Sequence, residues 1–189
     1  IEPPRDHPGP AEAVMAHART ADLIVTAQAD PTWDFSLLLD FPERLALESG
    51  RPTLIVPHSG RFAQPGRRVL VAWNGRREAV RAVFDALPIL QQADSVRILS
   101  VSSPQSATHE LPDTEIAAAL ARHGVKCETA RSVNTGIDVG NDLLNRAADF
   151  GADLLVMGCY GHSRFREFVM GGASREIFQH MTVPVLMSH

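Results

Sequence analysis

The run Val69-Leu70-Val71-Ala72-Trp73 limits the fold most, because it is apolar without a break. A strand with one wet face alternates apolar and polar residues. A continuous run of this length reads instead as a strand covered on both faces, as in a parallel sheet between helices. Leu154–Met157 and Val183–Met187 have the same character. Between such runs lie helix-like stretches, at about 77–87 (halted by Pro88), 114–123 (stopped by Gly124) and 141–150 (stopped by Gly151). With strands near 96–101 and 125–133, the order from Arg67 onward is β-α-β-α-β-α-β-α-β. That alternation predicts an α/β fold, an open parallel sheet with helices on both faces.

Ahead of it, residues 1–10 are proline-rich and read as loop. A helix over 11–20, a strand over 23–26, a helix over 42–49 and a strand over 53–56 are expected next. Pro52 at the start of that last strand suggests a sheet edge, since proline cannot donate to an inner ladder. This opening part repeats the end of the chain. Ala21-Asp22-Leu23-Ile24-Val25 echoes Ala152-Asp153-Leu154-Leu155-Val156, and Arg51-Pro52-Thr53-Leu54-Ile55 echoes Val183-Pro184-Val185-Leu186-Met187. Asp22 and Asp153 are 131 positions apart, Pro52 and Pro184 are 132, so one offset serves both matches and a repeated unit is expected. The expected division is a partial, degenerate half-domain over 1–57, a linker over 58–65 and a complete domain over 66–189.

In an open α/β sheet, ligands sit beyond the carboxyl ends of the strands where strand order reverses. Asn74 and Gly158 end the strands that would border that crevice. Gly158, Gly161, Gly171 and Gly172 surround a loop that leads into a helix. Free amides at such a helix start attract anions, and glycines let a ligand approach the backbone. A nucleotide phosphate is therefore the expected guest, against turn formation and close helix–strand packing as the plainer role. Arg76, Arg77, Arg164 and Arg166 lie where a guanidinium could reach a phosphate. His162 is a candidate phosphate contact, and Ser174 reads as a helix cap rather than a nucleophile. No Walker A motif is present and Lys126 is the only lysine, so vigorous ATP hydrolysis has no visible machinery.

The spacing G-x2-G-x9-G, between ADLLVMG and a helix leading to VPVLM, resembles the nucleotide loop of universal stress proteins. Val69 to Gly75 resembles that family's first strand and turn. The resemblance covers 67–189, while 11–57 resembles the second half of a degenerate partner domain in tandem members. It implies a Rossmann-like five-stranded sheet of order 3-2-1-4-5, with ATP or another adenine nucleotide bound, alone or with Mg²⁺. Ala72, Trp73 and Asn74 would then lie by base and ribose, Val101 by the adenine, and Gly158, Gly161, Gly171, Gly172 and Ser174 around the phosphates. Asn74 stands where the family usually has Asp, and Gly172 where it has a Ser or Thr hydroxyl. Losing one hydrogen bond to a charged group removes about 1.5–3 kcal/mol, a tenfold to hundredfold weakening. Last strands pair in the family, so 53–56 should lie beside 183–187, as a homodimer or as an intrachain pair.

The expected function is a stress-response regulatory module that binds an adenine nucleotide. The alternatives are an interaction protein with an empty pocket and a slow ATPase. A net charge of −4 gives no pull toward nucleic acid, and no apolar run reaches the ~18 residues of a membrane span. Cys127 and Cys159 stand alone, in neither CxxC nor zinc spacing, and the eight histidines show no ligand spacing. Together with the lack of a charged-then-apolar leader, this predicts a cytoplasmic protein without a metal site.

Overall fold

The computed structural model describes residues 9–30, 32, 41–102, 113–133, 138–159 and 172–189. Its elements are α1 (Pro10–Ala18), β1 (Ile24–Ala27), α2 (Phe41–Glu48), β2 (Thr53–Val56), β3 (Arg68–Trp73), α3 (Arg77–Asp85) and α4 (Leu87–Leu90). They continue with β4 (Ser95–Ser102), α5 (Asp113–Arg122), β5 (Cys127–Val133), α6 (Val139–Phe150), β6 (Leu154–Gly158), α7 (Gly172–His180) and β7 (Val185–Ser188). The seven strands form one sheet of order β1-β2-β7-β6-β3-β4-β5. Its last five strands, counted from β3, run 3-2-1-4-5 and are mutually parallel. The opening part does not stand apart as a second layer. It lengthens the same sheet, β1 parallel to β2 and β2 antiparallel to β7.

Burial explains why unbroken apolar runs became central strands. In β3 the residues Val69, Leu70 and Val71 are all fully buried, and β6 and β7 are buried on both faces too. One core joins Leu70, Leu99, Leu155 and Met187 to α6 and α7. The other joins Val69, Val71, Ile98 and Leu186 to α3, α4 and α5. Each face thus takes alternate residues of the same strands, and each residue withdraws apolar area from water at roughly 25 cal/mol per Å². Gly151 ends α6 in the left-handed region (φ 65°), its amide donating back to Ala147 and Ala148.

Two expectations need correction. Pro52 does not mark an edge, because β2 lies between β1 and β7. It precedes the first paired residue, so its missing N–H interrupts nothing, and its carbonyl accepts from the Ile24 amide at 3.0 Å. Pro88 does not end the helical path either. It sits in the first turn of α4, where a proline forfeits no helical hydrogen bond. Among the described residues no helix is long and apolar enough to cross a membrane.

Candidate functional site

The sheet reverses direction of growth at β3, which has β4 on one side and β6 on the other, both parallel to it. The carboxyl ends of β3 and β6 therefore open the crevice, with Asn74 after one and Gly158 at the end of the other. Two strand serines hold down the helices around this rim. Ser100 of β4 donates to Asp113 at the start of α5, and Ser132 of β5 donates to Asp142 of α6 at 2.7 Å. Arg131 pairs with Asp113 at 2.7 Å, the carboxylate being nearly buried and the guanidinium largely in water.

Asn74 is occupied by its own turn. Its Oδ1 accepts from the Arg76 amide at 3.0 Å, and its Nδ2 donates to Glu78 Oε1, also at 3.0 Å. Gly75, with φ 69°, completes the turn in a conformation that other residues rarely adopt. Glu78 is only 5% exposed, so the amide of Asn74 gives a buried carboxylate a neutral donor. The Asn in place of the family's usual Asp thus has a local reason. A second carboxylate here would face Glu78 at hydrogen-bond distance.

Gly158 answers to packing. A Cβ placed on it would lie 2.6 Å from the Ala79 amide nitrogen and 2.6 Å from Glu78 Cγ. The first turn of α3 therefore rests directly on the end of β6. The plainer role weighed for this glycine, close helix–strand packing, is present in the geometry whatever else binds there. Gly172 is different. It opens α7, is exposed, and among the described residues a Cβ on it would meet only Asp138 Oδ2, at 3.3 Å. Asp138 caps α6, its other oxygen accepting from the Gly140 amide at 2.8 Å. One carboxylate thus stands near the starts of two helices, where their dipoles favour a negative charge.

Ala72 and Val101 pack toward the α6–α7 face, in company with Leu99. Trp73 points the other way, into the core under α3 and α5, and is 4% exposed. Its indole N–H finds no partner among the described residues. Ser174 is buried within the first turn of α7 rather than ahead of it, so it is no N-cap. Gly161, His162, Gly171, Arg164 and Arg166 lie outside the described residues.

Three residues at or behind this rim escaped the sequence reading. Glu78 follows Asn74 by four positions, a spacing that hinted at the bond. Asp138 ahead of an apolar-periodic segment carried the ordinary signature of a cap. Gln28 gave no local signal. It is 5% exposed, and its Nε2 donates to the α7 carbonyls of Phe178 at 2.8 Å and Gln179 at 3.2 Å. It ties the opening part of the chain to the far end of the helix whose start borders the crevice.

Residues 66–189 match the model of the universal stress protein family. The sequence matches no curated protein. Among solved structures, the chain is similar to a universal stress protein from Archaeoglobus fulgidus DSM 4304. That match has 18% identity and a TM-score of 0.75, and covers 99% of this chain and 68% of that one. It is similar to the universal stress protein UspA from Lactobacillus plantarum, at 18% identity over 69% of this chain and all of that one, with a TM-score of 0.50. A universal stress protein in complex with cAMP shares 22% identity over 67% of this chain and 98% of its own, with a TM-score of 0.51. At such identities these structures speak for the fold. The family match spans residues 66–189 of a chain of 189, and by it this chain belongs to the universal stress protein family.

Proposed function

We propose that this chain is a regulatory module that binds an adenine nucleotide at the carboxyl rim of its sheet. In this reading Ala72, Asn74, Val101 and the Trp73 backbone border the base and ribose. Gly158, Gly161, His162, Gly171, Gly172 and Ser174 surround the phosphates. The observation that carries it is the meeting of three features at one point. The reversal at β3, the Asn74 turn and the start of α7 beyond Gly158 all belong to one rim. A relative of the same fold was solved with cAMP, which supports a nucleotide guest. Residues 1–57 then act as a partial repeat and 66–189 as the binding domain, in a cytoplasmic protein. Occupancy regulates to the extent that a partner discriminates the bound form from the free one.

A second reading, an interaction protein with a weak or empty pocket, draws support from the same rim. Asn74 has spent its side chain on Arg76 and Glu78, and the Asp138 carboxylate stands beside Gly172. Calorimetric titration with ATP, ADP, AMP and cAMP, with and without Mg²⁺, separates the two. Binding of at least one below millimolar is expected, weaker than about micromolar (near −8 kcal/mol) because of Asn74 and Gly172. Absence of heat for all four below millimolar would leave the interaction protein as the better reading.

A further inference from the structure

Among the described residues β1 is the outermost strand on its side of the sheet, and its edge lacks the usual protection. Natural edge strands are blunted by charge, proline or a covering element. Here Leu23 is 36% exposed and Val25 63%. Their counterparts 131 positions on, Leu154 and Val156, are 1% and 0% exposed. What buries that second pair is known. Strand β3 runs parallel to β6 with Val69 opposite Leu154 and Val71 opposite Val156, and α3 packs over both.

The backbone repeats the contrast. The amides of Ile24 in β1 and of Gln28 just after it donate toward β2, to Pro52 and Val56. By the two-residue period of a strand, the Val25 and Ala27 amides face outward, where no strand lies among the described residues. In the complete copy that outward side of β6 is taken by β3, with Val69, Leu70 and Val71 paired to Leu154, Leu155 and Val156. Beside the β1 edge lies an open groove of about 370 Å³, lined by Ala13, Val14, Ala18, Leu23 and Ile24 among others. The parallel ladder of the sheet thus continues to a lip with apolar side chains and with backbone groups that no strand meets among the described residues.

We propose that the outer edge of β1 and the adjoining side of α1 dock one kind of occupant: a polypeptide segment running parallel to β1 as an apolar strand and continuing into an amphipathic helix, the build of Arg68–Asp85. The strand supplies the ladder and covers the groove. The helix covers Leu23 and Val25, as α3 covers Leu154 and Val156. A second copy of the chain does not meet this description. Its own β3 is held between β4 and β6 and cannot be lent.

The test uses a synthetic peptide of residues 68–87 of this sequence, titrated into the full chain while amide exchange is followed at Val25 and Ala27. Saturable binding is expected, with exchange at both amides slowed at least tenfold. Val25→Asp, at a position open to water, leaves the chain folded and weakens binding tenfold or more. The same peptide joined by a flexible Gly/Ser linker to residue 1 raises its effective concentration to about millimolar, so weak pairing still registers. Unchanged exchange in the linked form overturns the proposal. So does binding indifferent to Val25→Asp. Dimers that protect Val25 and Ala27 without any peptide would also overturn it, by assigning the edge to a second copy.

Discussion

Leu54 of β2 and Leu186 of β7 face each other across an antiparallel register, and they are also each other's counterparts in the repeat, 132 positions apart. The neighbouring pairs obey the same rule. Thr53 meets Met187 and Ile55 meets Val185, and the shift of 132 exchanges one pair for the other. The contact is therefore self-complementary, as at a two-fold interface between identical subunits. Farther out, Gln28 with His58 and Cys159 with His189 repeat at a shift of 131. His58 Nδ1 lies 3.0 Å from Gln28 Oε1, and His189 Nδ1 lies 3.1 Å from the Cys159 carbonyl. Gln28 reaches the Phe178 carbonyl of α7, and Cys159 Sγ reaches the Ala46 carbonyl of α2 at 3.8 Å. This agreement is what the proposal of residues 11–57 as the back half of a second unit would require.

Asn74→Asp is expected to destabilise the chain by about 1–3 kcal/mol at pH 7, since it replaces the donor to a buried carboxylate with a like charge. Asn74→Ala removes the donor without adding the charge and should lose less. Urea melts of the three proteins check the order. Equal losses for both variants would mean that charge at Glu78 is not the reason for Asn74.

Gly158 and Gly172 belong to one glycine-rich stretch but should respond oppositely to alanine. At Gly158 the methyl group collides with the backbone of α3, so a loss of about 1–3 kcal/mol is expected. At Gly172 the described residues put only the end of an exposed Asp138 side chain in its way, and that can move aside. There the lost freedom of the unfolded chain should yield a change between neutral and a gain of about 1 kcal/mol. Thermal melts decide. Equal destabilisation by both would contradict the packing account.

Burial pushes the Cys159 thiol up from 9.0 to about 12. The folded chain therefore keeps a proton that the unfolded chain releases above pH 9. Stability from this source is intact below pH 9 and falls by roughly 1.4 kcal/mol per pH unit above it, until the folded thiol ionises too. Cys159→Ala should flatten that alkaline decline in chemical-denaturation curves. In native buffer an alkylating reagent should modify the half-buried Cys127 well before Cys159. Rapid labelling of Cys159 in the folded chain would contradict its burial.

The fold was legible wherever burial writes a local pattern. Val69–Trp73, Leu154–Met157 and the stretches ended by Gly124 and Gly151 became the expected elements, with boundaries shifted by a residue or two. Thr53–Val56 was read without error. Pro52 misled because edge or interior depends on β7, some 130 positions later in the chain. At the rim, the turn at Asn74 and the end of β6 at Gly158 were legible, because a turn and the stop of an apolar run are local. The carboxylate of Glu78 and the reach of Gln28 were not.

By itself the sequence determined which segments are strands and helices, their parallel alternation, and the strand ends at Asn74 and Gly158. Side-chain periodicity and backbone freedom are properties of a few consecutive residues, so they survive without a structure. Only the tertiary structure decided that Trp73 turns away from Ala72, that β2 is interior, and that α3 rests on Gly158. Each of those depends on which distant surface arrives opposite. Apolar burial rewards many such partners almost equally, and packing distances choose among them.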